Sequence, residues 1–101
     1  MNNSECAKKV LDWAVCNAIE ASLEYVKADC GLRGNYESIK TWKEHNPDDG
    51  VGGFSTNPYE RNTNYLTKQS ERASKANVEA HEVLEFVKNR ICDLINENMY
   101  I

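Results

Sequence analysis

The chain has 101 residues, 28% of them charged, and a formal net charge of −4. This length fits one domain, and the negative charge argues against generic attraction to nucleic acid or to an anionic membrane surface. No apolar signal segment opens the chain and no apolar run is long enough to span a bilayer, so we expect a cytoplasmic protein.

The four cysteines, Cys6, Cys16, Cys30 and Cys92, contain no C-x-x-C pair. A zinc ribbon or a redox motif is therefore not predicted, and without a secretory segment we expect reduced thiols. The Gly-rich segment lacks the Gly-Lys-Ser/Thr of a phosphate loop, and the acids before it lack the spacing of a calcium loop. We therefore predict a protein that is not an enzyme and that needs no metal and no cofactor.

A first helix is predicted over about residues 4–30. Asn2 followed by Glu5 fits a capping box at its start, and Gly31 can take the left-handed conformation that ends a helix. Apolar or small residues recur at spacings of three and four, as in a buried helical stripe. They are Leu11, Ala14, Val15, Ala18, Ile19, Ser22, Val26 and Cys30.

A short second helix is predicted over about residues 36–45, capped by Asn35 and ended before Pro47. A loop over residues 46–57 follows. Its three glycines make positive φ available, and two consecutive aspartates before them indicate a turn. We expect Phe54 to act as an apolar plug in this loop.

A long helix is predicted over about residues 58–96, with Asn57 as the N-cap and Pro58 as its first residue. The poor helix formers at residues 62–64 can delay its start. Its apolar positions alternate at spacings of three and four, as in helices that pack lengthwise. They are Leu66, Gln69, Ala73, Ala76, Ala80, Val83, Val87 and Leu94, widened by Leu84, Ile91 and Ile95.

These elements predict an all-α fold: an antiparallel hairpin of two long helices, with the short helix and the Gly-rich loop in the connection. Pairing residues whose numbers add to about 96 sets the alanines of the two helices against each other. The same register brings Cys16 near His81, but no third or fourth ligand lies beside them, so we predict no metal site there.

Self-association is predicted because two long helices bury a stripe rather than a full core. The last helix carries apolar residues that one partner helix cannot cover, and residues 99–101 extend them. A homodimer would complete a larger bundle. The residues of this flank are Val87, Ile91, Leu94 and Ile95.

One pattern of charge stands out in this acidic chain. Four basic residues share one helical face with an aromatic residue, and the next two turns reverse the sign. Close to a helix N-terminus, such a face can hold an anionic small ligand by ion pairing, stacking and backbone N–H donation. The alternative is a solvated face without function. This basic stripe consists of Arg61, Tyr65, Lys68, Arg72 and Lys75.

The connection carries three further candidate binding residues, Trp42, Phe54 and Tyr59. A loop of this length is often functional rather than a mere link. We expect the three aromatic side chains to cap one end of the hairpin beside the basic stripe. The sequence therefore predicts one recognition surface made of the loop and the stripe.

The overall profile is short, acidic, helical and without a catalytic motif. It resembles the small accessory proteins of phages and mobile elements that inhibit a host or rival protein, a resemblance of profile that covers no motif. It implies a protein that binds and blocks a protein partner. Sequestration of a phosphorylated small ligand such as a nucleotide, and a role as a structural or assembly subunit, stay open as alternatives.

Overall fold

The computed structural model describes residues 2–99, which form two long helices and a single short turn of helix. Helix α1 spans Asn3–His45, a 3₁₀ turn covers Glu60–Asn62, and helix α2 spans Thr63–Met99. No strand occurs within these described residues, and the all-α fold class is confirmed. The molecule measures 77 × 19 × 16 Å; it is a narrow rod.

Helix α1 corrects two predicted boundaries. The prediction ended the first helix at about residue 30 and began a separate helix at 36, but one helix runs through Gly31 and Gly34 to His45. Neither glycine has a positive φ, so Gly31 does not end the helix. The predicted cap is confirmed at the other end, where the Asn2 side chain accepts a hydrogen bond from the Glu5 N–H at 2.8 Å.

The reason for the continuous helix lies in its contact seam, which repeats every seven residues across both glycines. The seam is a run of buried or half-buried side chains at spacings of four and three. The predicted stripe was wrong beyond Ala18, since Val26 and Cys30 are exposed. The observed seam is Ala7, Leu11, Ala14, Ala18, Ala21, Tyr25, Ala28, Leu32, Asn35, Ile39 and Trp42.

Helix α2 starts later than predicted. Pro58 and Tyr59 lie in a turn, residues 60–62 form the 3₁₀ turn, and the α-helix begins at Thr63. The Asn57 side chain still caps this region, because its Oδ1 accepts a hydrogen bond from the Tyr59 N–H at 3.0 Å. The delay agrees with the poor helix formers at residues 62–64.

The seam of α2 also repeats every seven residues. Three predicted seam positions, Gln69, Ala76 and Val83, are exposed, and their places are taken by neighbouring residues. Leu94 is exposed as well. The observed seam is Thr63, Leu66, Ser70, Ala73, Asn77, Ala80, Leu84, Val87 and Ile91.

Polar contacts fix how the two helices meet. Ser22 Oγ donates to Asn77 Oδ1 at 2.8 Å and lies 3.0 Å from His81 Nε2, while Asn35 Nδ2 donates to Thr63 Oγ1 at 3.1 Å. The contacted numbers fall along α2 as they rise along α1, and paired numbers add to between 98 and 103. This register differs from the predicted one by up to two helical turns, and His81 contacts Ser22 instead of lying against Cys16.

The hydrophobic core is thin. Among the described residues only Ala14, Ala18, Ala80 and Val87 are buried apolar side chains. Three of the four are alanines, which let helix backbones approach closely but bury little apolar area. Much of the large apolar surface of the chain is therefore left on the outside of the rod.

The connection is ordered by polar side chains. The Asp49 carboxylate accepts hydrogen bonds from the Ser55 hydroxyl and from the hydroxyl and N–H of Thr56, at 2.6 to 3.1 Å. These bonds lower the pKa of Asp49 below its ordinary value. Asn57 is buried and its Nδ2 donates to the Ile39 carbonyl at 3.3 Å, which ties the loop to α1.

Candidate functional site

The basic stripe lies on the outer face of the 3₁₀ turn and α2. All five of its residues are exposed, and none of its four cations forms an ion pair with any described residue. Tyr65 accepts a hydrogen bond from Gln69 Nε2 at 2.7 Å. The stripe therefore presents free positive charge on an open helix surface.

The loop aromatics do not form the expected cap. Trp42 and Tyr59 come together and line a cleft of about 370 Å³ with Thr41 and His45, but Phe54 is 91% exposed. The prediction that Phe54 acts as a plug is wrong, because the turn closed by Asp49 holds its backbone away from both helices. Lys75 lies twelve residues into α2, about 18 Å along the axis from its start.

A second cleft lies between the helices beside the basic stripe. It has a volume of about 430 Å³, and both helices line it. Its polar lining includes Lys27, Arg72 and Gln69, with Glu24 opposite in charge. Arg72 is thus the one member of the stripe that also lines an interhelical cleft.

The most exposed apolar residues of the rod body lie elsewhere. Trp13 is 58% exposed and Phe86 is 72% exposed, and Val10 and Val83 are exposed beside them in sequence. Indole and phenyl groups contribute large contact areas at protein interfaces. We call these four residues the Trp13 surface.

The heptad repeat places the Trp13 surface on one side of the rod. Val10 and Trp13 lie 14 residues before Glu24 and Lys27, and Val83 and Phe86 lie 14 residues after Gln69 and Arg72. Glu24, Lys27, Gln69 and Arg72 all line the 430 Å³ cleft. Two heptads keep a residue on the same side of a helix that packs lengthwise. Because numbers fall along α2 as they rise along α1, both shifts also run in the same direction along the rod.

The sequence analysis missed Trp13 and Phe86. Its stripe on the first helix followed Val15 and Ile19, which lie outside the seam in the structure. With the seven-residue seam known, Val10 and Trp13 fall one and four residues before Ala14 and Leu11 is left between them. A heptad count over the whole of α1 would have separated the seam from this flank.

The predicted dimer flank is divided between the inside and the outside of the rod. Val87 is buried and Ile91 is half-buried, whereas Leu94 and Ile95 are exposed. The last three of these residues line a cleft of about 460 Å³ together with Ala7 and Leu11. Residues 100 and 101 lie outside the described part of the chain.

The remaining candidates carry little chemistry. All four cysteines are free and exposed, so Cys30 and Cys92 do not lie in the seams as the sequence suggested. Across residues 2–99 no three side chains of His, Cys, Asp or Glu are grouped to hold a metal ion. No helix in that range combines the length and apolar character needed to cross a membrane.

Comparisons of this chain with protein-family models, with curated proteins and with solved structures gave no match.

Proposed function

We propose that this chain is a non-catalytic binding protein: an antiparallel helical hairpin whose Trp13 surface docks onto a protein partner and blocks it. The observation that carries the proposal is the exposure of Trp13 and Phe86 on one side of a rod with so small a core. Exposed apolar groups that cluster on one side of a soluble protein mark interaction sites more often than scattered ones do.

Charge next to the surface supports a defined partner. Toward the middle of the rod the Trp13 surface is followed by exposed Glu20, Glu24 and Glu79, and none of the three forms an ion pair with a described residue. A partner that offers apolar side chains followed by lysine or arginine matches this order. Such charge complementarity steers association and fixes the orientation of the complex.

Indole fluorescence tests partner docking directly, because the chain has two tryptophans. In a Trp42→Phe variant the remaining emission comes from Trp13, and burial by a partner should shift it to shorter wavelength. Proteins captured from a cell lysate by the tagged chain supply the partner for this titration. Blocking is then measured as loss of the partner's own activity, which should be complete at a one-to-one ratio.

The matched variants are Trp13→Ala and Phe54→Ala, which each remove one exposed aromatic side chain. Trp13→Ala should release the captured protein, and Phe54→Ala should retain it. Release by Phe54→Ala alone would overturn the assignment to the Trp13 surface and return recognition to the loop. A partner whose activity is unchanged when bound would point to the assembly role instead of inhibition.

Sequestration of a phosphorylated small ligand is the second candidate, favoured by Lys27 and Arg72 in the 430 Å³ cleft. A nucleotide present at 100 times its Kd should stabilise the fold by about 2.7 kcal/mol. This shift is measured by thermal unfolding with and without nucleotide. Reversing Lys68 and Arg72 to glutamate should abolish the shift, and no shift in the unmodified protein would eliminate this candidate.

A further inference from the structure

The outer face of α2 carries a second seven-residue pattern, directed away from α1. Starting at Tyr65, residues at spacings of three and four follow one line along the helix for about 36 Å. All of them are exposed. We call this line the outer stripe: Tyr65, Lys68, Arg72, Lys75, Glu79, Glu82, Phe86 and Asn89.

The outer stripe changes sign at its middle. Its first half carries three cations and its second half carries two glutamates, with one aromatic residue in each half. None of Lys68, Arg72, Lys75, Glu79 and Glu82 forms an ion pair with a described residue of the chain. A helix with this order of charges is complementary to a second copy of itself in the opposite direction.

We infer that two copies of this chain associate through their outer stripes, with the two α2 helices antiparallel. Residues whose numbers add to 154 then face each other. Lys75 faces the second copy's Glu79, Arg72 faces its Glu82, and Lys68 faces its Phe86. Each contact occurs twice, because a two-fold axis makes the interface isologous.

The residues near the two-fold axis permit close approach. Ala76 and Val78 flank the stripe at its centre, so the helices meet over small and apolar side chains. Lys68 over a phenyl ring adds a cation–π contact. At the rim Glu71 faces Glu85, whose charge is balanced by Lys88 at 3.2 Å.

A stripe of ion pairs makes a salt-sensitive dimer. Exposed ion pairs are individually weak and are screened within about 10 Å at 0.1 M salt and about 3 Å at 1 M. Dimers should therefore form at low ionic strength and dissociate as salt is added. This self-association goes beyond the proposed partner binding, and of the Trp13 surface it involves only Phe86.

Two charge-reversed variants test the inference. Arg72→Glu with Lys75→Glu makes the stripe acidic, and Glu79→Lys with Glu82→Lys makes it basic. Sedimentation equilibrium at low salt should find the unmodified protein as a dimer and each variant as a monomer, with association weakened on the order of 100-fold. An equimolar mixture should recover the dimer, because all four charges of one variant face opposite charges of the other.

The control variant, Lys9→Glu with Lys40→Glu, makes the same change of net charge on exposed positions of α1. It should dimerise like the unmodified protein, and circular dichroism should report equal helix content in every variant. A monomeric unmodified protein at low salt, or a mixture that stays monomeric, would overturn the inference. So would dimers that persist in both variants, since these would locate the interface elsewhere. Trp13, Val10 and Val83 are unchanged throughout, so partner capture can still be measured separately.

Discussion

Replacing Gly31 by alanine should stabilise the protein. Gly31 lies inside α1 without a positive φ, and a methyl group built at its Cα meets no atom within 4 Å. Glycine in a helix interior costs about 0.8–1.0 kcal/mol relative to alanine, because it loses more backbone freedom on folding. Nothing in the surrounding structure offsets this gain.

The expected size of the effect is about 1 kcal/mol for Gly31→Ala. Gly34 has the same surroundings, so both replacements together should contribute up to about 2 kcal/mol. For a domain of this size each kcal/mol raises the unfolding midpoint by about 4–8 °C. Thermal and urea unfolding, followed by circular dichroism at 222 nm and at one protein concentration, measure the change.

Gly52→Ala is the matched control, because Gly52 has a φ of 107° in the connection. A side chain there is strained, so this variant should unfold at a lower temperature than the unmodified protein. A lower midpoint for Gly31→Ala would refute the continuous helix. It would mean that Gly31 takes a left-handed conformation and ends the first helix, as the local sequence signal suggests.

Three further changes test other parts of the fold. Asn57→Ala removes both side-chain hydrogen bonds of a buried amide and should cost about 1–3 kcal/mol in urea unfolding, whereas exposed Asn89→Ala should change little. Asp49 has a lowered pKa, so its contribution to stability is complete above the ordinary carboxyl pKa of about 3.9 and is lost as the pH falls below it. Thermal midpoints measured on the acid side of that pKa should fall less for Asp49→Asn than for the unmodified protein. Cys30→Ser, at an exposed thiol, should shift the midpoint by no more than about 0.5 kcal/mol in free energy; a larger loss would show that this thiol makes a structural contact.

Local signals in the sequence predicted local structure well. The Asn2 cap, the end of the helical segment before Pro47 and the glycine turn each depend on a few adjacent residues, and all three are present. The same kind of signal failed at Gly31, because a glycine followed by leucine fits a helix end whenever tertiary contacts are ignored. Those contacts, from Ala28 through Leu32 to Asn35, continue the seam and keep the helix intact.

The candidate binding residues were harder to predict than the fold. The basic stripe could be found because its charges share a face of one helix, and that face is exposed as its polarity implies. The Trp13 surface combines residues of two helices, so its position depends on the register between them. An error of one residue in the seam moves a side chain by about 100° around the helix, which was enough to hide Trp13.

The alanines of α1 leave the alignment of the two helices weakly specified by shape alone. Ala7, Ala14, Ala21 and Ala28 recur at the same heptad position, so sliding α1 by one heptad would set alanine where alanine was before. The information that rejects this slip of about 10 Å resides in a few polar groups, above all Asn35 and Ser22 with their partners on α2. These residues act as an address that an otherwise repetitive rod lacks, and changing them would blur which parts of the two helices belong together.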